Sequence, residues 1–465
     1  MINPRTDEAY QLLHDGILAL SRAEQTGICI DIDYVQRKKA HLSRKIERLE
    51  DEFKSSNFFK AWQYASKSKV NINSHIQLAY YLYNVKKIEP AKLTPSGKGS
   101  TDEESLKQLN IPEVNLLLEK NKLMKIRDTY LDGFEKEAVN GIVHTNFNLH
   151  LPVSFRSSCS NPNFQNIPIR DEEAMQICRS AIYPRKGHQF LEIDFKSIEV
   201  GINACYNKDT NLIKYVSDPS TDMHRDMATQ IFKLDEFDKS IPEHYLLRQA
   251  AKNGFVFPQF YGDYYKNCAD NLATNWGKLP QKRWKEGEGV PMPSGTLSDH
   301  LIGKGIKSYD NFTNHLKVIE KDFWGSRFPE YADWKEMWWD MYKKYGYIDL
   351  LTGFRCQGLM DRKQVCNYPG QGSAFHCLLW SLIQTDMLQT KRKWDSKIVL
   401  QVHDSLIMDT NPDELSYVTE AIYNITTKKL PEFWKWIIVP LSIDMELAGI
   451  DEPWSEKKKY IPNLH

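Results

Sequence analysis

Asp194 and Asp404 each close an apolar run that reads as a strand, Gln189-Phe-Leu-Glu-Ile-Asp194 and Ile398-Val-Leu-Gln-Val-His-Asp404. Strands that end on carboxylates and lie in one sheet would bring two acids together. Two unpaired acids repel, and one of them keeps its proton. A pair of divalent cations removes that penalty. Mg²⁺ is the natural choice, because it takes hard oxygen ligands and commonly joins protein carboxylates to substrate phosphates. A second constellation, Arg248-Gln-Ala-Ala-Lys252, places two cations at i and i+4 on one helix face, followed by Phe257 and Tyr261. A nucleoside triphosphate would suit it, with phosphates along the cations and the base stacked on Phe257. Each constellation alone also has a plainer reading. Strand-end aspartates are often turn formers, and a basic pair is often the solvated face of an amphipathic helix.

These groups need elements to hold them. Residues 6–56 carry apolar side chains at helical spacing (Tyr10, Leu13, Ile17, Leu20, then Leu42, Ile46, Leu49, Phe53), interrupted by Thr26-Gly-Ile-Cys-Ile-Asp31. The pattern predicts two helices around a turn. Between Ile72 and Tyr130 come more helical segments, broken by the polar stretch from Thr94 to Thr101, so this half reads as an elongated helical arm. From Ile142 the texture changes, and Val143, Thr145, Phe147 and Leu149 alternate as a half-buried strand does. Residues 222–262 and 311–345 are helix-patterned. Residues 276–295, rich in Trp, Lys, Gly and Pro, read as an exposed loop or insertion. Arm, strands, helical block and strands again make an α+β chain.

At 465 residues the chain has length for roughly three structural units. Its 41% hydrophobic, 12% aromatic and 26% charged residues describe a globular protein and exclude a disordered one. No run approaches the roughly 20 apolar residues of a membrane span. With Asp7, Glu8, Asp15 and Glu24 among them, the first thirty residues read neither as a secretory h-region nor as an acid-poor transit peptide, and the expected location is the cytoplasm. Eight cysteines without C-x-x-C or Cys/His zinc spacing predict reduced, mostly buried thiols. The balance of 61 Lys+Arg against 61 Asp+Glu argues mildly against nucleic acid as a partner. Local charge matters more, and residues 37–69, with Arg37, Lys38, Lys39, Arg44, Lys45 and Arg48 among them, leave room for a basic groove.

Taken together and in order, these segments resemble the polymerase domain of family A DNA polymerases, the DNA polymerase I or Klenow type, in a phage-like variant. The matching stretches are Asp194-Phe-Lys-Ser-Ile-Glu199, Arg248-x-x-x-Lys252 with Phe257-x-x-x-Tyr261-Gly262, and Gln401-Val-His-Asp404. Arg156-Ser-Ser-Cys-Ser-Asn-Pro-Asn-Phe-Gln-Asn-Ile-Pro168, Asp222-Met-His224, the segment from Gly346 to Arg355, and Asn367-Tyr-Pro-Gly-Gln371-Gly372 match as well. The resemblance runs from about Leu20 to Trp454 and implies a right hand with an antiparallel-sheet palm, helical fingers and a helical thumb. The expected boundaries are 1–33 for a segment packing on the palm, 34–135 for the thumb, 136–225 for the first part of the palm, 226–345 for the fingers, and 346–465 for the second part of the palm. It implies that Asp194 and Asp404, with the Phe195 carbonyl, hold two Mg²⁺ ions, Mn²⁺ being able to substitute. It further implies that Arg248, Lys252 and His224 meet the triphosphate, that Phe257 stacks beside the incoming base, and that Tyr261 sits at the template entrance. Glu199 would be the steric gate against ribonucleotides. Arg156, Gln371 and His403 would touch the primer terminus and its minor groove, whose acceptors hardly vary between base pairs. Asn163 and Gln165 would make further primer–template contacts. Primer–template DNA and deoxynucleoside triphosphates are the implied partners of a monomer, with a separate exonuclease or processivity factor as a further partner and no membrane.

Three departures from the family pattern carry expectations of their own. Ser405 follows Asp404 where the family usually has a glutamate, so two aspartates must suffice. From Lys252 to Tyr261 is one residue more than usual, which on an ideal helix would swing Tyr261 off the Lys252 face. With Gly254 and Pro258 inside the segment, a single-turn π-bulge is predicted between Asn253 and Phe257. The match also begins almost at the N-terminus, which predicts a polymerase without 3′–5′ exonuclease activity in this chain. The rival readings are a single-subunit RNA polymerase, against which Glu199 argues, and a catalytically inactive DNA-binding replisome scaffold.

Overall fold

The computed structural model describes residues 6–66, 69–94, 96–169, 171–238, 240–275, 290–292 and 295–463. At its centre lies a five-stranded antiparallel sheet in the order Lys397–Val402, Ser405–Thr410, Gln189–Phe195, Ile443–Leu447, Lys458–Tyr460. Its middle strand is apolar on both faces near its start, as a covered strand must be. Behind the sheet the 31-residue helix Arg362–Arg392 is opened by a reciprocal cap between Asp361 and Gln364. The helix Thr6–Thr26 packs on it, with Gly16 so close to Leu379 that a Cβ would stand 2.9 Å from its Cδ1. Arg22 from this helix grips the buried carboxylate of Asp386 in a forked pair.

The apolar run before Asp31, expected as a turn, is instead the short strand Ile28–Ile30 of a four-stranded sheet. It pairs with Ile142–Val143 and Ile182–Tyr183, which satisfy its backbone on both edges, so tertiary pairing overrides local turn chemistry. The period-two segment after Ile142 is likewise not one strand. It splits into Ile142–Val143 and Asn146–Asn148, which belong to different sheets. The hairpin from Ala138–Val139 to Ile142–Val143 turns on Asn140 and Gly141 at φ +53° and +76°, the left-handed pair that a two-residue turn requires.

The helical arm follows as Ile32–Ser55, Asn57–Ala65, His75–Ala79, Glu103–Gln108 and Pro112–Lys125. Phe53, Phe59, Trp62, Tyr81, Leu106 and Leu117 belong to a core of its own, separate from the main one. Three basic residues of this region are committed to ion pairs: Lys39 with Asp132 and Glu135, Lys45 with Glu119 and Glu173, and Lys54 with Glu50. The expected basic groove is thereby thinned to what those pairs leave. Lys67 falls outside the described residues.

The helical block between the strands is rich in aromatic contacts. Phe260, Phe323, Trp324, Phe328 and Tyr331 meet one another in its core. Of the expected loop 276–295, residues 276–289 and 293–294 lie outside the described residues, and the remainder forms a short hairpin of Pro291–Met292 and Gly295–Thr296. All eight cysteines are free, seven of them buried. Among the described residues no helix is long and apolar enough to cross a membrane.

Candidate active site

Antiparallel register brings the two aspartates together. Asp194 near the end of its strand stands opposite Ser405 on one neighbour and Asp444 on the other. The strand expected to end on Asp404 stops at Val402, and His403 and Asp404 form the two-residue turn to Ser405–Thr410. Asp404 is therefore a turn residue beside Asp194, and the Phe195 N–H donates to the Asp404 carbonyl at 3.4 Å. His403 takes φ +51°, a conformation that costs a non-glycine residue energy and that clusters at functional sites.

Both carboxyls resist ionisation. Burial, followed by the charges of Glu199 and Asp194, pushes Asp404 from 3.8 up to about 6 against the pull of Arg156. Burial also raises Asp194, with Glu192 and Asp444 adding to it, while the Ser405 hydroxyl, donating to Oδ1 at 2.8 Å, works the other way. The residue that replaces the family's third acid thus supplies a hydrogen bond where a third charge would have added repulsion. Among the described residues no group of three His, Cys, Asp or Glu converges to hold a metal. The donor set is two half-buried, mutually repelling carboxylates, and a hard divalent cation fits it because the cation's charge would return both to their ionised forms.

Ser197, at φ +47°, turns the chain from the Asp194 strand into the helix Ile198–Asn207 and so presents Glu199 to the same space. The Tyr261 hydroxyl donates to Glu199 Oε2 at 2.8 Å, and Arg156 Nη1 stands 3.9 Å from Oε1. Burial, and then Glu199, raise the Tyr261 phenol well above its usual range. Tyr261 reaches this position because the helix Pro242–Ala251 passes into a π-turn, Lys252–Val256, before Phe257–Phe260, as the extra residue required. Gly254 is needed there, since a Cβ would come within 2.7 Å of Leu272 Cδ2.

Phe257 lies 6.1 Å from Tyr261 between ring centroids and meets the His224 ring edge-on at 5.7 Å. The Lys252 ammonium stands 5.2 Å from the Phe257 centroid. Burial, helped by the charges of Lys252 and Arg248, pushes His224 down to about 4, so its ring is neutral at pH 7, and its Nδ1 is buried without a partner among the described residues. Arg248 Nε donates to Asp222 Oδ2 at 2.9 Å, and Asp222 also caps the helix Met223–Ile231. Asp222 is a positioning residue that sequence reasoning quoted but gave no role.

On the other flank, Gln165 Nε2 donates to Ser157 Oγ and Gln401 Oε1, each at 2.9 Å, and Gln401 Nε2 donates to the His403 carbonyl at 2.7 Å. Gln401, buried, fixes the turn that carries Asp404; its place in the Gln-x-His-Asp stretch was the available signal. Burial and then Arg156 hold His403 below the usual imidazole range. Gln371 is half-buried on the long helix, and Asn163 is exposed before the turn Phe164–Asn166. No described contact joins either to the aspartates. The site opens on a cavity of about 440 Å³ beside Asp194 and Asp404. A further cavity of about 710 Å³ lies where Lys122, Lys125 and Tyr130 of the arm face Gln165 and His403.

Comparison with known proteins agrees with this geometry. Residues 32–279 match the profile of DNA polymerase family A. The chain is 26% identical over 459 residues to the thermostable DNA polymerase I of Thermus thermophilus, covering 94% of this chain and 47% of that protein. It is 28% identical over 449 residues to DNA polymerase I of Caldicellulosiruptor bescii, covering 95% and 46%. The chain thus spans about half the length of the curated relatives it matches. In fold it is similar to the POL domain of Pol1 from M. smegmatis, solved in complex with DNA primer-template and dNTP. That likeness has a TM-score of 0.73 at 22% identity and covers 95% of this chain and 70% of the other.

Proposed function

The chain belongs to DNA polymerase family A, and from that premise we propose that it adds deoxynucleoside triphosphates to a primer 3′-hydroxyl under the direction of a template. The observation that supports this reading most strongly is the meeting of Asp194 and Asp404, both lifted by burial and by neighbouring carboxylates, at one end of the sheet. Asp194, Asp404 and the Phe195 carbonyl would hold two Mg²⁺ ions, which when bound supply activation of the hydroxyl and neutralisation of the phosphates. The protein's own part is positioning and charge. Arg248, braced by Asp222, and Lys252 present cations to the triphosphate, and neutral His224 can donate or accept one hydrogen bond there. Phe257 offers a face to the incoming base. Glu199, clasped by Tyr261, is held as a wall at the sugar's 2′ position. Arg156 and His403 face the primer terminus, with Gln165 bracing the turn through Gln401, and Gln371 and Asn163 complete the primer–template side. In this reading residues 34–135 are the thumb, 226–345 the fingers, and 136–225 with 346–465 the palm, on which 1–33 packs.

Primer extension with Mg²⁺ tests it, comparing deoxy- with ribonucleotides and the intact chain with Asp404→Ala. Extension with deoxynucleotides alone, abolished by the substitution, is the expected result. DNA binding without extension under every condition would overturn it in favour of the inactive scaffold, and equal use of ribonucleotides would remove Glu199 as the gate.

A further inference from the structure

One part of the lining of the cavity beside Asp194 and Asp404 plays no role in the chemistry proposed above. It carries Arg179, the last residue of the helix Glu172–Arg179, together with Lys457, Lys459, Glu192 and Glu446. Arg179 is only 4% exposed, yet its Nε is buried without a hydrogen-bond partner. Its guanidinium lies over the ring of Trp454, with Cζ 4.0 Å from the ring centroid. The neighbouring acids are already engaged. Lys457 Nζ sits 2.6 Å from Glu192 Oε2 and 2.5 Å from Glu446 Oε2, and the Trp454 indole N–H donates to Glu192 at 2.8 Å. Asp444 is paired with Lys196 at 2.8 Å. Arg179 therefore feels the attraction of Glu192 and Glu446 but has no acceptor of its own among the described residues. Burial accordingly holds its guanidinium below the usual range.

A buried cation left without an acceptor is costly, whereas a guanidinium held over an indole in the lining of a cavity is preorganised for a phosphate oxygen. We infer that Arg179 is the seat of a primer-strand phosphodiester close to the reacting 3′ end, donating to a non-bridging oxygen and so fixing the strand beside Asp194 and Asp404. Lys459, exposed on the rim and without an ion pair among the described residues, adds charge for the adjoining linkage. The inference rests on the polymerase reading above and adds to it a residue that positions the strand without touching the triphosphate.

The test is a scan of primers carrying one neutral methylphosphonate at each of the last four linkages, with binding followed by fluorescence anisotropy for the intact chain and Arg179→Gln. The intact chain should lose about tenfold in affinity at one of these linkages, the effect of one charge-assisted contact. Arg179→Gln should lose about tenfold on the unmodified primer and nothing more at that linkage. The slope of log K against log salt should also shrink by about 1. Losses that simply add at every linkage overturn the assignment. If Arg179→Gln does not fold, Arg179→Lys, which keeps the charge and stem but not the fork, carries the same test with a smaller loss at the same linkage, and additive losses overturn it equally. Failure of the intact chain to bind primer–template at all would refute the polymerase reading itself. Binding and extension with additive losses would refute Arg179 alone.

Discussion

Asp404→Asn should make the metal-free protein more stable while removing the polymerase activity proposed above. The ordinary aspartate value is 3.8, and burial with Glu199 and Asp194 nearby raises Asp404 to about 6. Between those values the native state binds more protons than the unfolded chain, so stability falls as pH rises through the window and stays depressed above it. At ~1.4 kcal/mol per pH unit, the gap corresponds to about 3 kcal/mol at pH 7.5. Asparagine cannot ionise and also relieves the repulsion on Asp194. Urea unfolding in EDTA is the assay. At pH 7.5 the variant should show the higher midpoint with an unchanged slope, and the advantage should shrink to about 1 kcal/mol near pH 4.5. Added Mg²⁺ should raise the midpoint of the parent at pH 7.5 and do far less for the variant, because a ligand stabilises only the state it binds. A variant that is no more stable than the parent at pH 7.5 in EDTA, or an advantage that does not change with pH, would refute the electrostatic account of the site.

Other perturbations reach the elements around it. Tyr261→Phe removes a hydroxyl donated to a charged acceptor, worth ~1.5–3 kcal/mol. It should raise ribonucleotide use in single-nucleotide incorporation assays about tenfold, less than Glu199→Ala does. Gly254→Ala would drive a Cβ to 2.7 Å from Leu272 Cδ2. It should cost ~1–3 kcal/mol in denaturant unfolding and raise KM for the incoming nucleotide as the π-turn shifts. Lys335, buried, donates to the Gln259 carbonyl and stands 3.6 Å from the Trp324 centroid, and burial pushes it from 10.5 down to about 7. The unfolded chain binds the extra proton between those values, so parent stability rises with pH across them. Lys335→Met should therefore be more stable at pH 7, by ~1–3 kcal/mol once the lost hydrogen bond and ring contact are subtracted, with the gain fading toward pH 10 in thermal melts.

Much of this protein follows from sequence order alone, because period and residue type are local properties. The apolar run ending in Asp194, the i, i+4 cations of Arg248 and Lys252, and the helical texture on either side were legible without coordinates. So was the π-turn, since one extra residue on a helix must be absorbed somewhere, and Gly254 and Pro258 showed where. Partnership across the fold was not legible. That Asp404 lies in a turn and not on a strand depends on pairing between Val402 and Ser405. The clasp between Tyr261 and Glu199 joins residues 62 positions apart, and Asp222 braces Arg248 from 26 positions away. The strand Ile28–Ile30 exists because Ile142–Val143 and Ile182–Tyr183 flank it; its local sequence signals only a break. The raised carboxyls of Asp194 and Asp404 have the same origin, because desolvation and the charge of distant neighbours arise only once the sheet, the helices and the C-terminal strands close around them.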